Sequence, residues 1–257
     1  MELLDPTGGP ENVQRVAAGE AEFCLTSVAH YLRAWSEADA LPARFVAVVV
    51  QRSPMAAIVA ADSPLREVDD LPGGRVGGQA GDKLVAAYLA GLAHLGLGVP
   101  PLVAVGYADA PAALGRGDID VVADFADLVP RVRRQSGIQV RAIPLGTEIY
   151  ASGLVAGDDV PDAAVERMRA SIVDALEGQR REPERGLDAL VDRYPGVDPD
   201  DALEGWSLVE PNIFSGAVGS MDPERWETTI THLSAVLGLP APPPPAVYRL
   251  LPTSVPN

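Results

Sequence analysis

Residues 71–89, LPGGRVGGQAGDKLVAAYL, decide how the chain is interpreted. They predict a glycine turn, a short strand at residues 75–77, a second glycine turn and a helix from about Asp82. Glycines allow tight turns and close approach of the backbone to a ligand, and a helix N-terminus offers free N–H groups. Lys83, the single lysine of the chain, lies in the first helical turn, where a cation opposes the helix dipole. Two explanations stay open, namely an anionic ligand and simple solvent exposure beside Asp82.

The amino-acid composition limits the classes of protein to which this chain can belong. The 257 residues carry a formal net charge of −16, which argues against a nucleic-acid partner because phosphates would repel such a surface. Cys24 is the single cysteine, so an internal disulfide and a cysteine-based metal site are excluded. The three histidines, His30, His94 and His232, are far apart in sequence. We therefore expect neither a metal nor another cofactor.

The N-terminus lacks the marks of a secretory signal. Residues 1–20 have no charged n-region and no apolar h-region. The longest apolar run, residues 45–50, is far too short to cross a bilayer. The chain as written is therefore expected to be cytoplasmic, without a transmembrane segment.

Apolar runs and helical stripes alternate along the chain. Strands or buried apolar segments are predicted at residues 23–25, 45–50, 55–60, 75–77, 103–105, 120–123, 139–143 and 149–155. Helices are predicted at residues 28–37, 82–95, 108–114, 127–135, 162–176, 187–194 and 222–237. Residues 195–221 are expected to be loop-rich, and the proline-rich tail at 241–257 to be an extended strap or a disordered end. The alternation predicts an α/β fold with mostly parallel, doubly wound sheets.

Several segments, taken in order, resemble a known family. They are GGPENVQRVAAGEAEFCLTS (8–27), AAIVAADSPLREVDDLPGGRVGGQAGDKLVAAYLAGL (56–92), AALGRGDIDVVADF (112–125), GSMDPERWETTITHLSAVLGLP (219–240) and YRLLPTSVPN (248–257). Their order and spacing, rather than any one motif, resemble the type 2 periplasmic-binding-protein fold. The resemblance is to the branch of SsuA/THI5-like (NMT1-like) substrate-binding proteins of ABC transporters.

The resemblance implies a two-lobed organisation with a ligand in the cleft between the lobes. Residues 1–62 and 148–240 would form lobe I, residues 63–147 lobe II, and residues 241–257 the tail. Relative to the family, the first strand and helix of lobe I are expected to be missing. A truncated N-terminus would make the location extracytoplasmic. If the sequence is complete, the exposed sheet edge leads us to expect poor solubility or a homodimer.

The predicted ligand-binding residues lie at strand ends and loops, where sheets of this kind bind ligands. They are Thr26, Ser27, His30, Ser53, Met55, Gln79, Ala80, Gly81, Asp82, Lys83, Asp124, Phe125 and Tyr150. Plainer roles stay open for several of them: helix capping for Thr26 and Ser27, a turn for Ser53, and core packing for Phe125 and Tyr150. No catalytic residue and no metal ligand is predicted.

The favoured function is that of a solute-binding protein of an ABC importer. The ligand would be a small polar or anionic molecule of the sulfonate, nitrate or pyrimidine class, and the expected partners are the permease and the ATPase. The alternative is a cytoplasmic enzyme on the same fold, of the pyrimidine or thiamine-precursor synthesis, decarboxylase or dehydratase type. It would use Asp124 and His30 for acid–base chemistry. A third alternative is a truncated copy without activity.

Overall fold

The computed structural model describes residues 2–5, 7–38, 40–79 and 82–251. The chain divides into two compact units, each built from separate segments. Unit 1 comprises Met1–Arg52, Glu148–Gly178 and Ile213–Asn257, and unit 2 comprises Ser53–Thr147 and Gln179–Asn212. Two predicted ligand residues, Ala80 and Gly81, and residues 252–257 of the predicted tail lie outside the described residues.

Strands and helices alternate through most of the chain. The strands are β1 (Phe23–Ser27), β2 (Ala43–Val50), β3 (Met55–Ala60), β4 (Val76–Gly77), β5 (Leu102–Val103), β6 (Val121–Phe125), β7 (Val140–Pro144) and β8 (Ser152–Gly157). The helices are α1 (Gly9–Ala17), α2 (Val28–Ser36), α3 (Lys83–His94), α4 (Ala110–Arg116), α5 (Val129–Ser136), α6 (Asp162–Arg181), α7 (Pro183–Arg193), α8 (Pro199–Ile213), α9 (Pro223–Leu237) and α10 (Pro244–Val247). Two 3-10 turns, Val68–Gly73 and Ala126–Leu128, precede β4 and α5.

The helix ends follow from local sequence. The Ser27 hydroxyl accepts the backbone N–H of His30 at 3.1 Å and so caps α2. The Asp222 carboxylate accepts the N–H of Arg225 at 2.8 Å, and proline occupies the first turn of α9. That helix ends at Gly238, whose φ of +65° lies in the left-handed region. These starts and stops agree with the sequence prediction.

Unit 1 contains a three-stranded sheet in the order β1-β8-β2. Strand β8 is antiparallel to both of its neighbours, with Leu25 opposite Leu154 and Phe45 opposite Val155. Tyr248 forms an isolated parallel bridge with Phe45, so the segment after α10 lies along β2. The prediction that this tail lacks regular structure is wrong up to Tyr248. Proline pre-sets the first turn of the short α10, and the buried Val247 anchors it.

An aromatic cluster forms the centre of the unit 1 core. Trp226 is fully buried, and its ring lies 5.1 Å from Phe45, 5.2 Å from Tyr150 and 5.3 Å from Tyr248, centroid to centroid. The Tyr248 ring is stacked on it, with an interplanar angle of 11°. These rings come from β2, from the segment before β8, from α9 and from the tail. Trp226 therefore joins the separate chain segments of unit 1.

Unit 2 contains a five-stranded sheet in the order β5-β4-β6-β3-β7. Strand β4 is parallel to β5 and β6, whereas β3 is antiparallel to β6 and β7. Among the described strands, four of the six pairs in the two sheets are antiparallel. The α/β class is confirmed, but the described strands of unit 1 form an antiparallel sheet and those of unit 2 a mixed sheet, rather than mostly parallel sheets. Apolar runs that are buried on both faces predict a central strand but carry no information on its direction.

The predicted loop at residues 195–221 is largely helix α8. Gly205 and Pro211 there indicate helix breaks, but a Cβ at position 205 would come within 3.0 Å of the Asp127 carbonyl oxygen. Glycine thus lets α8 approach the backbone of the 3-10 turn at Ala126–Leu128 closely. Ion pairs of Arg133 with Glu204 and of Arg134 with Asp201 tie α8 to α5. Tertiary packing therefore overrides the local helix-breaking signals.

None of the helices in the described ranges is both long and apolar enough to span a bilayer. Within the same ranges, no group of three or more His, Cys, Asp or Glu side chains could hold a metal ion.

The aromatic cluster generates a stability prediction. Trp226→Ala should lower the free energy of unfolding of unit 1 by about 3–5 kcal/mol, because it leaves a large cavity among three rings. Trp226→Phe should cost less than half as much. It keeps most of the ring contacts and removes an indole N–H that is buried without a hydrogen-bond partner among the described residues. Urea unfolding followed by far-ultraviolet circular dichroism measures both, and equal losses would show that ring packing is not what Trp226 contributes.

Candidate functional site

The carboxyl ends of three parallel strands meet at one edge of the unit 2 sheet. Strands β4, β5 and β6 run in the same direction, so the loops that follow them lie side by side. The antiparallel β3 begins at this edge, with Met55 opposite Phe125. Open α/β sheets bind ligands outside the carboxyl ends of their strands. We call this group the unit 2 edge; its residues are Gln79, Asp82, Lys83, Tyr107, Asp124, Phe125 and Arg131.

Asp124, at the end of β6, is completely buried. The Tyr107 hydroxyl donates to its Oδ2 at 2.9 Å, and the backbone N–H of Phe125 donates to its Oδ1 at 2.9 Å. Arg131 Nη2 lies 3.8 Å from Oδ2. The carboxylate is thus held by a phenol and an amide, with a cation just beyond hydrogen-bond distance.

Burial is the largest influence on the pKa values of Asp124 and Asp127. It raises the pKa of Asp124 above its ordinary value, and the hydrogen bonds from Phe125 and Tyr107 and the charge of Arg131 offset part of that rise. The charge of Asp82 adds to the rise, so this residue acts electrostatically on Asp124. Burial also raises the pKa of Asp127, with a further contribution from Asp124. Burial, followed by the charge of Asp124, raises the pKa of Tyr107.

Tyr107 and Arg131 were not anticipated from the sequence. The guanidinium of Arg131 lies 4.8 Å from the centroid of the Tyr107 ring, within the range of a cation–π contact. Tyr107 follows β5 as Asp124 follows β6, so the rule of strand carboxyl ends would have found it. Arg131 lies inside α5 in an arginine-rich run, and no sequence signal separates it from Arg133 and Arg134.

The turn before α3 satisfies much of its own hydrogen bonding. Asp82 caps the helix, its Oδ1 accepting the N–H groups of Leu84 at 2.9 Å and Val85 at 3.4 Å. Its own N–H donates to the Gln79 carbonyl at 3.0 Å. The side chains of Gln79 and Lys83 are exposed. Among the described residues of this turn, Gln79 and Lys83 therefore present exposed side chains to a ligand.

The glycines of the same stretch serve close packing. A Cβ at Gly77 would lie 2.6 Å from Cδ1 of Ile119, and one at Gly78 would lie 2.3 Å from Cγ2 of Val85. Neither glycine has a positive φ. They let β4 and its following loop approach neighbouring apolar side chains, so ligand contact is not needed to explain them.

The two predicted residues before β3 are directed inward. The Ser53 hydroxyl accepts the N–H of Met55 at 3.4 Å, which supports the turn. Met55 is 4% exposed and packs in the hydrophobic core of unit 2. By contrast, Phe125 is 37% exposed and Tyr107 is 38% exposed. The aromatic surface of the edge therefore comes from these two rings.

The predicted residues of unit 1 gather around the start of α2. Thr26 is buried, and its hydroxyl has no hydrogen-bond partner among the described residues. Ser27 caps the helix through the N–H of His30. The exposed His30 ring lies against Gly9, where an added Cβ would approach Nδ1 to 2.0 Å. Ser27 and His30 thus have structural contacts, whereas the Thr26 hydroxyl is an unused polar group.

Tyr150 is placed in the unit 1 core. It is 2% exposed, and its hydroxyl accepts the backbone N–H of Asp222 at 2.9 Å. Its own N–H donates to the Thr229 hydroxyl at 3.1 Å. The guanidinium of Arg225 lies 4.5 Å from its ring centroid. The packing alternative for this residue is the one the contacts favour.

Comparison with known proteins gives a family match and similar solved structures. The NMT1/THI5-like family model matches residues 1–178. Among curated proteins, no sequence matches the chain. The periplasmic aliphatic sulphonate-binding protein SsuA from Escherichia coli is similar in structure, with a TM-score of 0.66 and 19% identity over 88% of this chain and 73% of that one.

A second solved structure is the alkanesulfonate-binding protein SsuA from Xanthomonas axonopodis pv. citri, bound to MOPS. It gives a TM-score of 0.61 and 19% identity over 94% of this chain and 85% of that one. At such low identity these likenesses establish the fold, while the family match covers well over half of the chain. The chain therefore has the type 2 periplasmic-binding-protein fold and belongs to the NMT1/THI5-like family.

Proposed function

We propose that the chain is the solute-binding protein of an ABC importer and binds a small polar or anionic ligand. The observation that carries the proposal is the unit 2 edge, in a chain of this family. It presents two exposed aromatic rings, Tyr107 and Phe125, beside two cationic side chains, Lys83 and Arg131. Such a mixture of apolar faces and a few placed polar groups is typical of small-molecule sites.

The ligand class follows from the same chemistry. A sulfonate or nitrate would pair with the cationic groups, and an aromatic ring such as a pyrimidine would stack on Tyr107 or Phe125. The similar structures support the sulfonate member of this class, since one is of a protein that binds aliphatic sulphonates and the other is bound to MOPS. The ligand-binding roles expected for Thr26, Ser27 and His30 stay predictions.

A solute-binding protein needs differential affinity rather than chemistry. The ligand must favour one conformation of the protein over others by the contacts it makes there. Its partners would be the permease and ATPase of the importer, and its location would be extracytoplasmic, as for the periplasmic protein from Escherichia coli. The homodimer expected from the sequence stays a prediction.

The enzyme alternative is less well supported. It assigns acid–base chemistry to Asp124, but this carboxylate is completely buried and already accepts the Tyr107 hydroxyl and the Phe125 amide. Its partner in that scheme, His30, belongs to unit 1 and packs on Gly9. These contacts favour a structural role for both residues.

Ligand binding should raise the melting temperature of the protein. Differential scanning fluorimetry in a Tris buffer, free of sulfonate buffers, would compare ethanesulfonate, MOPS, nitrate and 4-aminopyrimidine, with glucose as a control. At a hundred times Kd a ligand adds about 2.7 kcal/mol to the free energy of unfolding, which is a clear shift. The absence of any shift with all four compounds at millimolar concentration would contradict the proposed ligand class.

Lys83 provides a second test. Its position at a helix N-terminus predicts that its removal stabilises the protein, whereas contact with an anionic ligand predicts that its removal weakens binding. Lys83→Gln should raise the free energy of unfolding without ligand by about 0.3–1 kcal/mol, since it removes a cation from a helix N-terminus. It should also weaken binding of ethanesulfonate about threefold, as expected for the loss of one exposed charge contact. Urea unfolding and titration calorimetry measure the two effects.

Lys83→Arg is the matched control for charge and should keep most of the affinity. If Lys83→Gln stabilises the protein and leaves the ethanesulfonate affinity unchanged, Lys83 is simply solvent-exposed. That result would select the second explanation for this lysine.

A further inference from the structure

We propose that Arg131 is the unit 2 residue that binds the anionic group of the ligand, and that Tyr107 and Asp124 position its guanidinium. This inference rests on the proposed function and names the specificity-determining contact of the same site. It concerns two residues, Tyr107 and Arg131, that the sequence did not single out.

The first step is the hydrogen-bonding state of Arg131. Its nearest carboxylate oxygen, Asp124 Oδ2, is 3.8 Å away, which is too long for a hydrogen bond. Its Nε–H is buried and has no hydrogen-bond partner among the described residues. A buried donor without an acceptor is costly and needs an explanation. A guanidinium whose Nε–H lacks an acceptor, and whose nearest carboxylate lies beyond hydrogen-bond distance, is suited to receive an acceptor from a ligand.

The second step is the contrast with other arginines of unit 2. Arg133, two residues further along α5, pairs with both carboxylate oxygens of Glu204, with an Nη1–Oε1 distance of 2.9 Å. Arg75 likewise donates from Nε at 2.8 Å and from Nη2 at 2.9 Å to the two oxygens of Asp120. Such bidentate pairs engage two N–H donors along one edge of the planar guanidinium. Among the residues that the structure describes, Arg131 forms no bidentate pair of this kind, although it lies on the same helix as Arg133.

The third step is positioning. The Tyr107 ring faces the Arg131 guanidinium at 4.8 Å, and its hydroxyl is fixed by donation to Asp124. Asp124 is in turn fixed by the N–H of Phe125. The side chain of Arg131 remains 32% exposed at the unit 2 edge. The Tyr107 ring therefore holds the guanidinium in position on a side chain that is only partly buried, which suits bidentate binding of a sulfonate or carboxylate.

The experiment compares an anion with its neutral isostere. Titration calorimetry would measure ethanesulfonate and ethanesulfonamide against the wild type, Arg131→Gln, Arg131→Lys and Arg133→Gln. Arg133→Gln is the matched control, because it removes the same charge from the same helix and breaks an ion pair away from the proposed contact. Tyr107→Phe keeps the ring and removes the hydroxyl that fixes it to Asp124.

Arg131→Gln should weaken ethanesulfonate binding by about tenfold or more and abolish the preference over the sulfonamide, as expected for a lost charged hydrogen bond. Arg131→Lys should lose most of the affinity, because an ammonium lacks the planar fork. Tyr107→Phe should give a smaller loss of sulfonate preference. Arg133→Gln should leave the preference unchanged, even if it lowers the melting temperature.

The outcomes separate the two proposals. If the wild type binds neither ethanesulfonate nor any other compound of the ligand panel, the proposed function is overturned. If the wild type binds ethanesulfonate and Arg131→Gln binds it equally well, the function stands and the role of Arg131 is overturned. Equal losses in Arg131→Gln and Arg133→Gln also overturn that role, since they would reflect net charge alone. Arg131→Lys and Tyr107→Phe keep the test decisive if the glutamine variant does not fold.

Discussion

The sheet of each unit depends on one interior strand. In unit 2 it is the first strand after the chain enters the unit, and in unit 1 the first strand after the chain returns to it. Strand β8 lies between β1 and β2, and β3 lies between β6 and β7, each antiparallel to both neighbours. An interior strand must pair along both edges, because buried backbone groups without partners are costly. Among the described strands, removing β8 would leave β1 and β2 without a ladder, and removing β3 would separate β7 from the rest of its sheet. The remaining features, including the Trp226 cluster and the unit 2 edge, are built on these two sheets.

The sequence predicted most elements of the fold and failed where packing opposed local signals. Buried apolar runs and capping residues such as Ser27 and Asp222 located strands and helix starts, because these are local effects. Strand direction was not readable, since a strand buried on both faces has the same pattern either way. Helix α8 was not predicted because Gly205 indicates a helix break. In the structure this glycine instead lets α8 approach Asp127 closely.

The candidate site was predicted in part. Asp124 and Phe125 could be placed because residues after a strand lie at its carboxyl edge, and Lys83 because the turn and helix start are local. Arg131 could not be predicted, since its proximity to Asp124 depends on how α5 packs beside β6. The same packing makes Asp124 an internal support of the edge rather than a surface acid. Its burial raises its pKa and commits its oxygens to Tyr107 and the Phe125 amide.

The central place of β8 has a consequence for the order of assembly during synthesis. Strands β1 and β2 do not pair with each other, and the strand that joins them ends at residue 157. All strands of the unit 2 sheet come from one continuous segment, Ser53–Thr147, so this sheet does not depend on a strand that is synthesised much later. Contacts distant in sequence form late because closing a long loop costs entropy. On the ribosome, the second unit of the chain therefore completes its sheet before the first, and β1 and β2 emerge well before their shared partner β8.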